Sequence, residues 1–421
     1  MLILVVTLAS CGNDNSKDGN NDKSNDDKVE LEVWRVEDPD SPPYEIFTDM
    51  IEKFQDEHPD IIIKDDTTPH DDYKTRLNTQ AAGGQLPDVF QVWPGAELEP
   101  LVKGDVVQEL NDILDYWTEE TRLLNEEDFE NFAFEEKIYG VPSSDNPTHF
   151  VFYDEDILAD VGYDSFPETY ENFLNLIDDL NSADITPISL GNSEGWPLQS
   201  MYISTIADRF TGGDFLDDVT SGDRKFTDTE FIEALEVIDE LTNEGAFNED
   251  FNTIDTIQMI DYFVQGKTAM VIDGNWAAAT IIPKLEDDKN IGVALLPLND
   301  ITSISTTTGD AMAIKSGLSE DKREAAETFL KYIYSEELYQ RLMEAGRLVL
   351  GDVEMPEDSE LHPLIEELMK VADVSDPAPV YDATLPPSVI SVLENEIQSI
   401  TVGSSTPEEA AENIQKEMES K

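Results

Sequence analysis

The residue types that usually carry out catalysis are sparse and scattered in this sequence. Its single cysteine, Cys11, can form neither an intramolecular disulfide nor a cysteine metal cage. The chain contains no phosphate-binding glycine loop, no dinucleotide fingerprint and no Gly-x-Ser-x-Gly segment. Four histidines lack the spacing of metal ligands, namely His58, His70, His149 and His362. We therefore expect no catalytic residue, no metal and no cofactor.

Three tryptophans stand at positions that suit binding. Trp93 and Trp276 each follow a predicted strand, and Trp196 lies in the glycine-containing loop 191–197. Loops at strand ends are where open α/β sheets bind ligands. An indole face fits the C–H face of a sugar ring, and Asp, Asn and Arg side chains fit its hydroxyl groups. The pattern indicates a sugar platform. The alternative role for each ring is ordinary packing, which is the role expected for Trp117.

The elements that must position these side chains alternate between strands and helices. Apolar and polar residues alternate over Val29–Trp34, and short apolar runs at Ile61–Ile63 and Asp88–Trp93 predict two further strands. Helical spacing predicts one helix after the cap at Ser41 and another over Tyr73–Ala82. This order is typical of a parallel sheet with crossover helices, and therefore of the α/β class.

The same alternation continues along the rest of the chain. Strands are predicted at Phe150–Tyr153 and Thr268–Ile272. Threonine caps predict three helix starts, at Thr169, at the capping box Thr227–Glu230 and at the capping box Thr406–Glu409.

The charge balance restricts the partners of the protein. Asp and Glu number 93 against 26 Lys and Arg, which gives a formal net charge of −67. Such a surface repels nucleic-acid phosphate and anionic lipid, so we expect no nucleic-acid partner. The acids recur along helix-like stretches, as they do in a solvated coat on a folded protein. Because salt screens this self-repulsion, we expect a halophilic protein in a salty or alkaline exterior. Acidic drift without adaptation is the alternative.

The segment 1–28 is typical of an exported and anchored protein. Residues 1–10 form an apolar run that is too short to span a bilayer but suits a signal-peptide core, although no Lys or Arg precedes it. The small residues before Cys11 resemble the bacterial lipobox, in which the cysteine carries lipid. Residues 12–28 have no apolar side chain and predict a flexible tether. We expect this protein to contact the membrane through its lipid anchor only.

Short segments in a fixed order run from about residue 29 to the last residue, 421. They are Gly84–Val89 (Gly-Gln-Leu-Pro-Asp-Val), Tyr139–Pro142 (Tyr-Gly-Val-Pro), Phe152–Tyr170, Phe263–Met270, Gly274–Trp276, Ala294–Pro297, Gly309–Ser316 and Lys322–Ile333. Together they resemble the bacterial extracellular solute-binding proteins of the maltose-binding type. Asp154 stands where that family has asparagine, and Tyr170 where it has tryptophan. The ordered set is more specific than any one segment.

The resemblance implies a periplasmic-binding-protein fold, with two α/β lobes and the ligand in the cleft between them. It assigns residues 29–141 and about 297–345 to the N-terminal lobe, and residues 142–296 and about 346–421 to the C-terminal lobe. It also implies a monomeric subunit of an ABC importer that delivers its ligand to a transmembrane permease. The expected location is the outer face of the cell membrane, or the periplasm of a Gram-negative envelope.

The resemblance also implies the residues of the ligand site. Trp93, Trp196 and Trp276 align with aromatic-rich segments that line the family's cleft, so we expect them to stack on a sugar. Trp34 and Tyr381 are candidates for additional walls. The expected hydroxyl partners lie in the matching loops and are Glu37, Asp38, Asp145, Asn146, Asp310 and Arg347.

Two other functions stay open on the sequence alone. The same fold can bind a non-sugar solute such as a polyamine, glycerol phosphate, a metal chelate or a peptide, and the general acidity hides any specific signal for a cation. A secreted glycosidase is a remote third reading, because 93 acids make any one carboxylate pair uninformative. Equilibrium dialysis against sugars, amines and peptides, with a scan for turnover, separates the three functions.

The net charge predicts that stability rises with salt. The Debye length falls from about 10 Å at 0.1 M salt to about 3 Å at 1 M, so repulsion within the acidic coat weakens progressively. The melting temperature should therefore increase from low to molar NaCl when unfolding is followed by circular dichroism. A melting temperature that stays flat or falls over this range contradicts the halophilic interpretation.

Overall fold

Five strands form the sheet of the first lobe. The computed structural model describes residues 28–37, 41–286, 289–299, 301–306, 309–356, 359 and 361–421. The first three strands pair in parallel, as the strand–helix–strand order predicts, whereas Ala311–Ile314 runs antiparallel to both of its neighbours. The spatial order of the strands is Ile61–Thr68, Val29–Val36, Val89–Val92, Ala311–Ile314 and Val141–Pro142.

Apolar clusters pack against both faces of this sheet. Val89 belongs to one cluster and Phe90 to the other, because successive side chains of a strand point to opposite faces. Both side chains are fully buried. The helices of this lobe are Pro42–Glu57, His70–Ala82, Leu98–Lys103, Glu320–Ile333 and Glu336–Glu344, with a π-helical turn at Tyr116–Glu120, a 3₁₀ segment at Glu126–Phe132 and a small hairpin of Ala133–Phe134 with Lys137–Ile138.

Four strands form the sheet of the second lobe. Phe150–Asp154 pairs antiparallel with both of its neighbours, and only the edge strand Thr186–Ser189 pairs in parallel, with Thr268–Asp273. The spatial order is Ile291–Leu295, Phe150–Asp154, Thr268–Asp273 and Thr186–Ser189. The sheet is therefore mixed rather than parallel throughout.

The helices of the second lobe pack around this sheet in one large apolar cluster. They are Glu155–Asp160, Tyr170–Ser182, Ser204–Thr211, Phe215–Ser221, Thr229–Asn243, Thr256–Val264, Ala277–Ile281, Pro363–Asp373, Tyr381–Thr384, Pro387–Thr401 and Pro407–Met418, with a π-helical segment at Pro197–Ile203 and a 3₁₀ turn at Ile282–Lys284. Leu298 and Ile304 also join this cluster. The lobe boundaries given above stay a prediction.

Three of the four predicted helix caps are confirmed. The hydroxyls of Ser41, Thr169 and Thr406 accept hydrogen bonds from backbone N–H groups in the first turns of their helices, and Thr406 completes a capping box with Glu409. The capping box at Thr227 is wrong. The helix begins at Thr229 with Asp228 as its N-cap, and the carboxylate of Asp228 accepts from the guanidinium of Arg224 at 3.0 Å.

Among the described residues, the chain passes between the two lobes three times, after Pro142, after Leu295 and after Glu344. The described residues that follow, up to Phe150, Ala311 and Pro363 respectively, are called the crossings. Hydrogen bonds between backbone groups connect the described parts of these crossings to one another. The N–H of Gly309 donates to the carbonyl of Ser144 at 2.7 Å, and the N–H of Leu350 donates to the carbonyl of Ser143 at 3.3 Å. The strand Ile304–Thr306 of the second crossing also pairs with Pro377–Pro379. The crossings therefore form one connected hinge region.

No helix within the described ranges is both long and apolar enough to cross a membrane.

Loss of the hydroxyl at Thr406 should destabilise the second lobe. Thr406→Ala removes the N-cap hydrogen bond, so we expect the free energy of unfolding to fall by about 1 kcal/mol, whereas Thr406→Ser should retain most of it. Thr227→Ala serves as the matched control, because Asp228 rather than Thr227 occupies the N-cap of its helix. Urea unfolding followed by circular dichroism measures all three. Equal losses in the two alanine variants contradict the assignment of the caps.

Candidate functional site

Two aromatic side chains of the first lobe meet where its parallel strands end. Trp93 follows the strand Val89–Val92, and His70 opens the helix that follows the strand Ile61–Thr68. Because the carboxyl ends of parallel strands lie at the same edge of the sheet, the two rings come within 5.0 Å between centroids, edge to face. The ammonium of Lys74, one helical turn after His70, lies 4.9 Å from the centroid of the Trp93 ring.

Two tryptophans of the second lobe face this pair. Trp276 follows the strand Thr268–Asp273, Trp196 precedes the π-helical segment, and their ring centroids lie 6.4 Å apart. Trp196 also lies 5.2 Å from His70 across the boundary between the lobes. Trp93, His70, Trp196 and Trp276 thus form a continuous aromatic row that runs from one lobe to the other.

A cavity of about 420 Å³ lies beside the aromatic row, within the size range of small-molecule sites. Both lobes contribute to its walls, so it is a cleft between them. The lining residues are Lys74, Asn78, Trp93, Pro94, Ala96, Glu97, Pro100, Trp196, Asp382, Ala383, Pro387, Ile390, Ser391 and Glu394.

Two carboxyl groups in the cavity wall lie in a poorly hydrated environment. Burial raises the pKa of Asp382, with Lys74 opposing and Glu97 adding to the shift. Burial also raises the pKa of Glu394 to about 7, and the repulsion from Asp382 adds to this shift. Lys74 is paired with Glu97, at 3.5 Å between the ammonium and a carboxylate oxygen. The cavity is therefore polar, acidic and aromatic at once.

The two lobes touch through their backbones at one wall of the cavity. The N–H of Ala96 donates to the carbonyl of Asp382 at 3.3 Å. Gly95 has a φ of +62°, and a Cβ atom there would lie 2.2 Å from the carbonyl oxygen of Ala383. Only glycine allows both this conformation and this approach.

A second group of predicted residues surrounds a small space between the first lobe and the hinge region. A guanidinium nitrogen of Arg347 lies 3.4 Å from both carboxylate oxygens of Glu37. Burial raises the pKa of Glu37 and Asp310, and the positive charge of Arg347 opposes both shifts. Arg35 and Ser143 also line this space. The group is suited to polar contacts with hydroxyl groups.

Asp145 and Asn146 lie in the first crossing rather than in the cavity wall. The hydroxyl of Thr306 donates to the Asp145 carboxylate at 2.8 Å, and the side-chain amide of Asn275 donates to the Asp145 carbonyl at 2.7 Å. A Cβ atom on Gly309 would meet the Asn146 side chain at 2.5 Å. These contacts connect the hinge region to the loop that carries Trp276.

The remaining predicted residues lie elsewhere. Trp34 is buried in the core of the first lobe, with the guanidinium of Arg76 3.5 Å above its ring centroid. Tyr381 is 1% exposed and stacks on Phe231 in the core of the second lobe, so it is its neighbour Asp382 that reaches the cavity. Asp38 and Cys11 lie outside the described residues.

Several residues of the site were not predicted from the sequence. His70, Lys74 and Asn78 are spaced by four on one helix that directly follows a strand, and this spacing was a usable signal. Glu97, Asp382 and Glu394 gave no such signal, because acids are abundant along the whole chain.

With this geometry in place, comparison with known proteins defines the class. The family of bacterial extracellular solute-binding proteins matches residues 38–340, and the chain therefore belongs to this family. The resemblance stated above is confirmed. The family binds solutes outside the cytoplasm.

Individual relatives cover most of the chain. The multiple sugar-binding protein of Streptococcus mutans is 22% identical over 373 residues, which are 85% of this chain and 83% of that protein. A solved structure described as a chitin oligosaccharide binding protein has a TM-score of 0.84 at 24% identity, covering 94% of this chain and 99% of that one. Maltose-bound MalE3 of T. maritima has a TM-score of 0.78 at 19% identity, covering 93% and 99%. The two-lobed periplasmic-binding-protein fold is thereby confirmed.

The raised pKa of Glu394 predicts a pH-dependent stability. A carboxyl whose pKa is raised from 4.5 to about 7 holds its proton more tightly in the folded state, so stability falls as the pH rises through this range. Glu394→Gln should therefore melt higher than the parent at about pH 8, with little difference at about pH 5. Glu396→Gln, on the same helix but outside the cavity wall, is the control. A Glu394→Gln gain that is equal at both pH values contradicts the assignment.

Proposed function

We propose that the protein is the substrate-binding subunit of an ABC importer, and that it captures a sugar or oligosaccharide by closure of its two lobes. The observation that carries this proposal is the aromatic row beside a cavity whose walls come from both lobes. A ligand in this position contacts both lobes at once, and therefore stabilises the closed arrangement.

The chemistry of the cavity supports a sugar ligand. Indole faces pack against the C–H groups of a sugar ring, and carboxylates accept hydrogen bonds from its hydroxyls. Trp93 and Trp196 supply such faces, while Glu97 and Asp382 supply acceptors in the same cavity. Closure removes water from the cavity, so these polar contacts become stronger than they are in an open cleft.

The relatives support the same ligand class. The Streptococcus mutans relative is named a multiple sugar-binding protein, and similar solved structures are described as binding chitin oligosaccharide, maltose or raffinose. None of these descriptions specifies the sugar for this chain. They agree with the proposal at the level of carbohydrate as a class.

The second polar group supports a role in hydroxyl recognition and closure. Glu37 belongs to the first lobe, whereas Asp310 and Arg347 belong to crossings of the hinge region. A sugar hydroxyl that reaches this group would meet a carboxylate acceptor and a guanidinium donor together. Asp145 and Asn146 would act through the hinge region, by positioning the loop of Trp276.

The proposal includes a transmembrane permease driven by separate ATPase subunits as the partner, and no catalytic reaction by this chain itself. The binding subunit acts as a monomer outside the cytoplasm. Lipid on Cys11 holds it at the membrane surface, with residues 12–28 as the tether. A relative from Bacillus subtilis that is 24% identical over 244 residues carries the name lipoprotein LipO, which agrees with an anchored form.

Removal of the ring at position 93, 196 or 276 should weaken sugar binding. Stacking contributes about 1 kcal/mol for each ring, so Trp93→Ala, Trp196→Ala and Trp276→Ala should each raise the Kd about fivefold or more. Isothermal titration with the best sugar of a mixed panel measures the change, and circular dichroism measures the stability of each variant.

Trp117→Phe is the matched control for these variants. The Trp117 ring is fully buried in the first lobe and its Nε1 donates to the carbonyl of Tyr334 at 2.8 Å. Its loss should lower the melting temperature and leave the Kd unchanged. If the three alanine variants behave in the same way as this control, the aromatic row serves packing alone and the sugar site must lie elsewhere.

The anchor is tested by cell fractionation. With the natural upstream region present, the parent should appear in the membrane fraction and Cys11→Ser in the soluble fraction, because the thiol is the acceptor of the lipid. Equal release of the two proteins rules out lipid on Cys11.

A further inference from the structure

The charged side chains of the cavity wall are not balanced. They are three acids and one lysine. The ammonium of Lys74 is already engaged, because it lies 3.5 Å from a carboxylate oxygen of Glu97 and over the Trp93 ring. Asp382 and Glu394, which the second lobe contributes to the cavity, therefore share this one lysine with Glu97.

This imbalance costs free energy when both acids are ionised. Burial raises the pKa of both carboxyls, and neighbouring acids raise the pKa of Glu394 further, namely Asp382, Glu97 and Glu194, with Lys74 opposing. The exposed acids of the coat differ, since water solvates them individually. The general acidity of the protein therefore does not explain why two partly buried acids lie together in a ligand cavity.

The residues that the first lobe contributes to the cavity show how an ammonium is held here. Lys74 lies between an indole face and a carboxylate, a combination in which ring and charge both attract the cation. The residues that the second lobe contributes offer the same combination of an indole and carboxylates, without a lysine. Trp196, Asp382 and Glu394 line the cavity together, and a Cβ atom on Gly195 would lie only 3.2 Å from the Cβ of Glu394.

We propose that the ligand of this cavity is a sugar that carries a protonated amino group, with the ammonium held between Trp196 and the carboxylates of Asp382 and Glu394. This inference rests on the sugar-binding function proposed above and specifies its substrate class. A neutral sugar would take water away from these acids without replacing it by a positive charge, whereas an ammonium compensates the charge as the cavity closes. Among the described residues, no group of three or more His, Cys, Asp or Glu side chains is placed to hold a metal ion.

The test compares ligands that differ mainly in charge. The β-linked disaccharide of glucosamine and cellobiose share their linkage and ring shape, and differ in having an ammonium or a hydroxyl at the second carbon. The acetylated glucosamine disaccharide controls for bulk without charge, and spermidine supplies charge without a sugar ring. Isothermal titration at about pH 6 keeps the amines protonated, and about 0.15 M NaCl limits non-specific attraction to the acidic coat.

We expect the parent to bind the glucosamine disaccharide about tenfold or more tightly than cellobiose. Glu394→Gln and Asp382→Asn should each reduce this ratio about fivefold, since each removes a carboxyl group that the bound ammonium holds in its ionised form. Glu396→Gln should leave the ratio unchanged, because Glu396 bonds to Ser405 and Asn413 outside the cavity wall. A ratio measured within one variant does not depend on how much of that variant is folded.

The possible outcomes separate three claims: that the ligand is charged, that its ammonium lies beside Asp382 and Glu394, and that the protein binds sugars. Equal or tighter binding of cellobiose, or binding only of other neutral sugars, overturns the charged-ligand inference and leaves the sugar-binding function intact. A ratio that neither variant lowers, or that Glu396→Gln lowers equally, overturns the assignment to this wall. Spermidine binding as tight as that of the glucosamine disaccharide, or a panel in which no sugar binds, overturns the sugar-binding function itself.

Discussion

The structure depends on the fact that its two lobes bury separate apolar clusters and meet through the hydrogen-bonded hinge region and the walls of the cleft. Each lobe obtains its stability from its own sheet and helices, so the boundary between them does not have to be apolar. The three crossings hold one another through backbone hydrogen bonds, such as that from Gly309 to Ser144. A boundary that is not needed for stability is free to be polar, to hold a cavity and to open and close.

The same constraint explains how charge is distributed in the protein. Acids on the outer faces of the helices stay hydrated and cost little individually, whereas acids in the cleft lose water when the lobes meet. Lys74 pairs with Glu97 at the cavity, where the two lobes bring carboxylates together. Arg347 pairs with Glu37 beside the hinge region, where the crossings do the same. The chain has only 26 basic residues, and these two lie in the cleft. Their positive charges offset the free-energy cost of removing water from the neighbouring carboxylates.

Features that depend on residues close together in the chain could be predicted from the sequence, whereas features that depend on distant residues could not. Ser41, Thr169 and Thr406 cap helices because their hydrogen bonds span only a few residues, and the strands with clear alternation were found for the same reason. The prediction at Thr227 failed because the helix begins at Thr229, with Asp228 at the N-cap position and its carboxylate bonded to Arg224. Trp93 and Trp276 were singled out by their places after predicted strands, and Trp196 by its loop. Asp382 and Glu394, in contrast, reach the cavity through the packing of distant helices, which no short-range pattern encodes.

The contact between the two lobes at Gly95 is sensitive to the size of the residue at this position. Its backbone lies against Ala383 of the other lobe, in a conformation that disfavours a side chain. A larger residue there would clash with Ala383 wherever the lobes touch as they do here, in addition to the strain that a φ of +62° would impose on the first lobe itself. The conformational equilibrium of the protein can thus be tuned at a residue outside the aromatic row, and evolution can adjust apparent affinity by the same route without altering the groups that recognise the ligand.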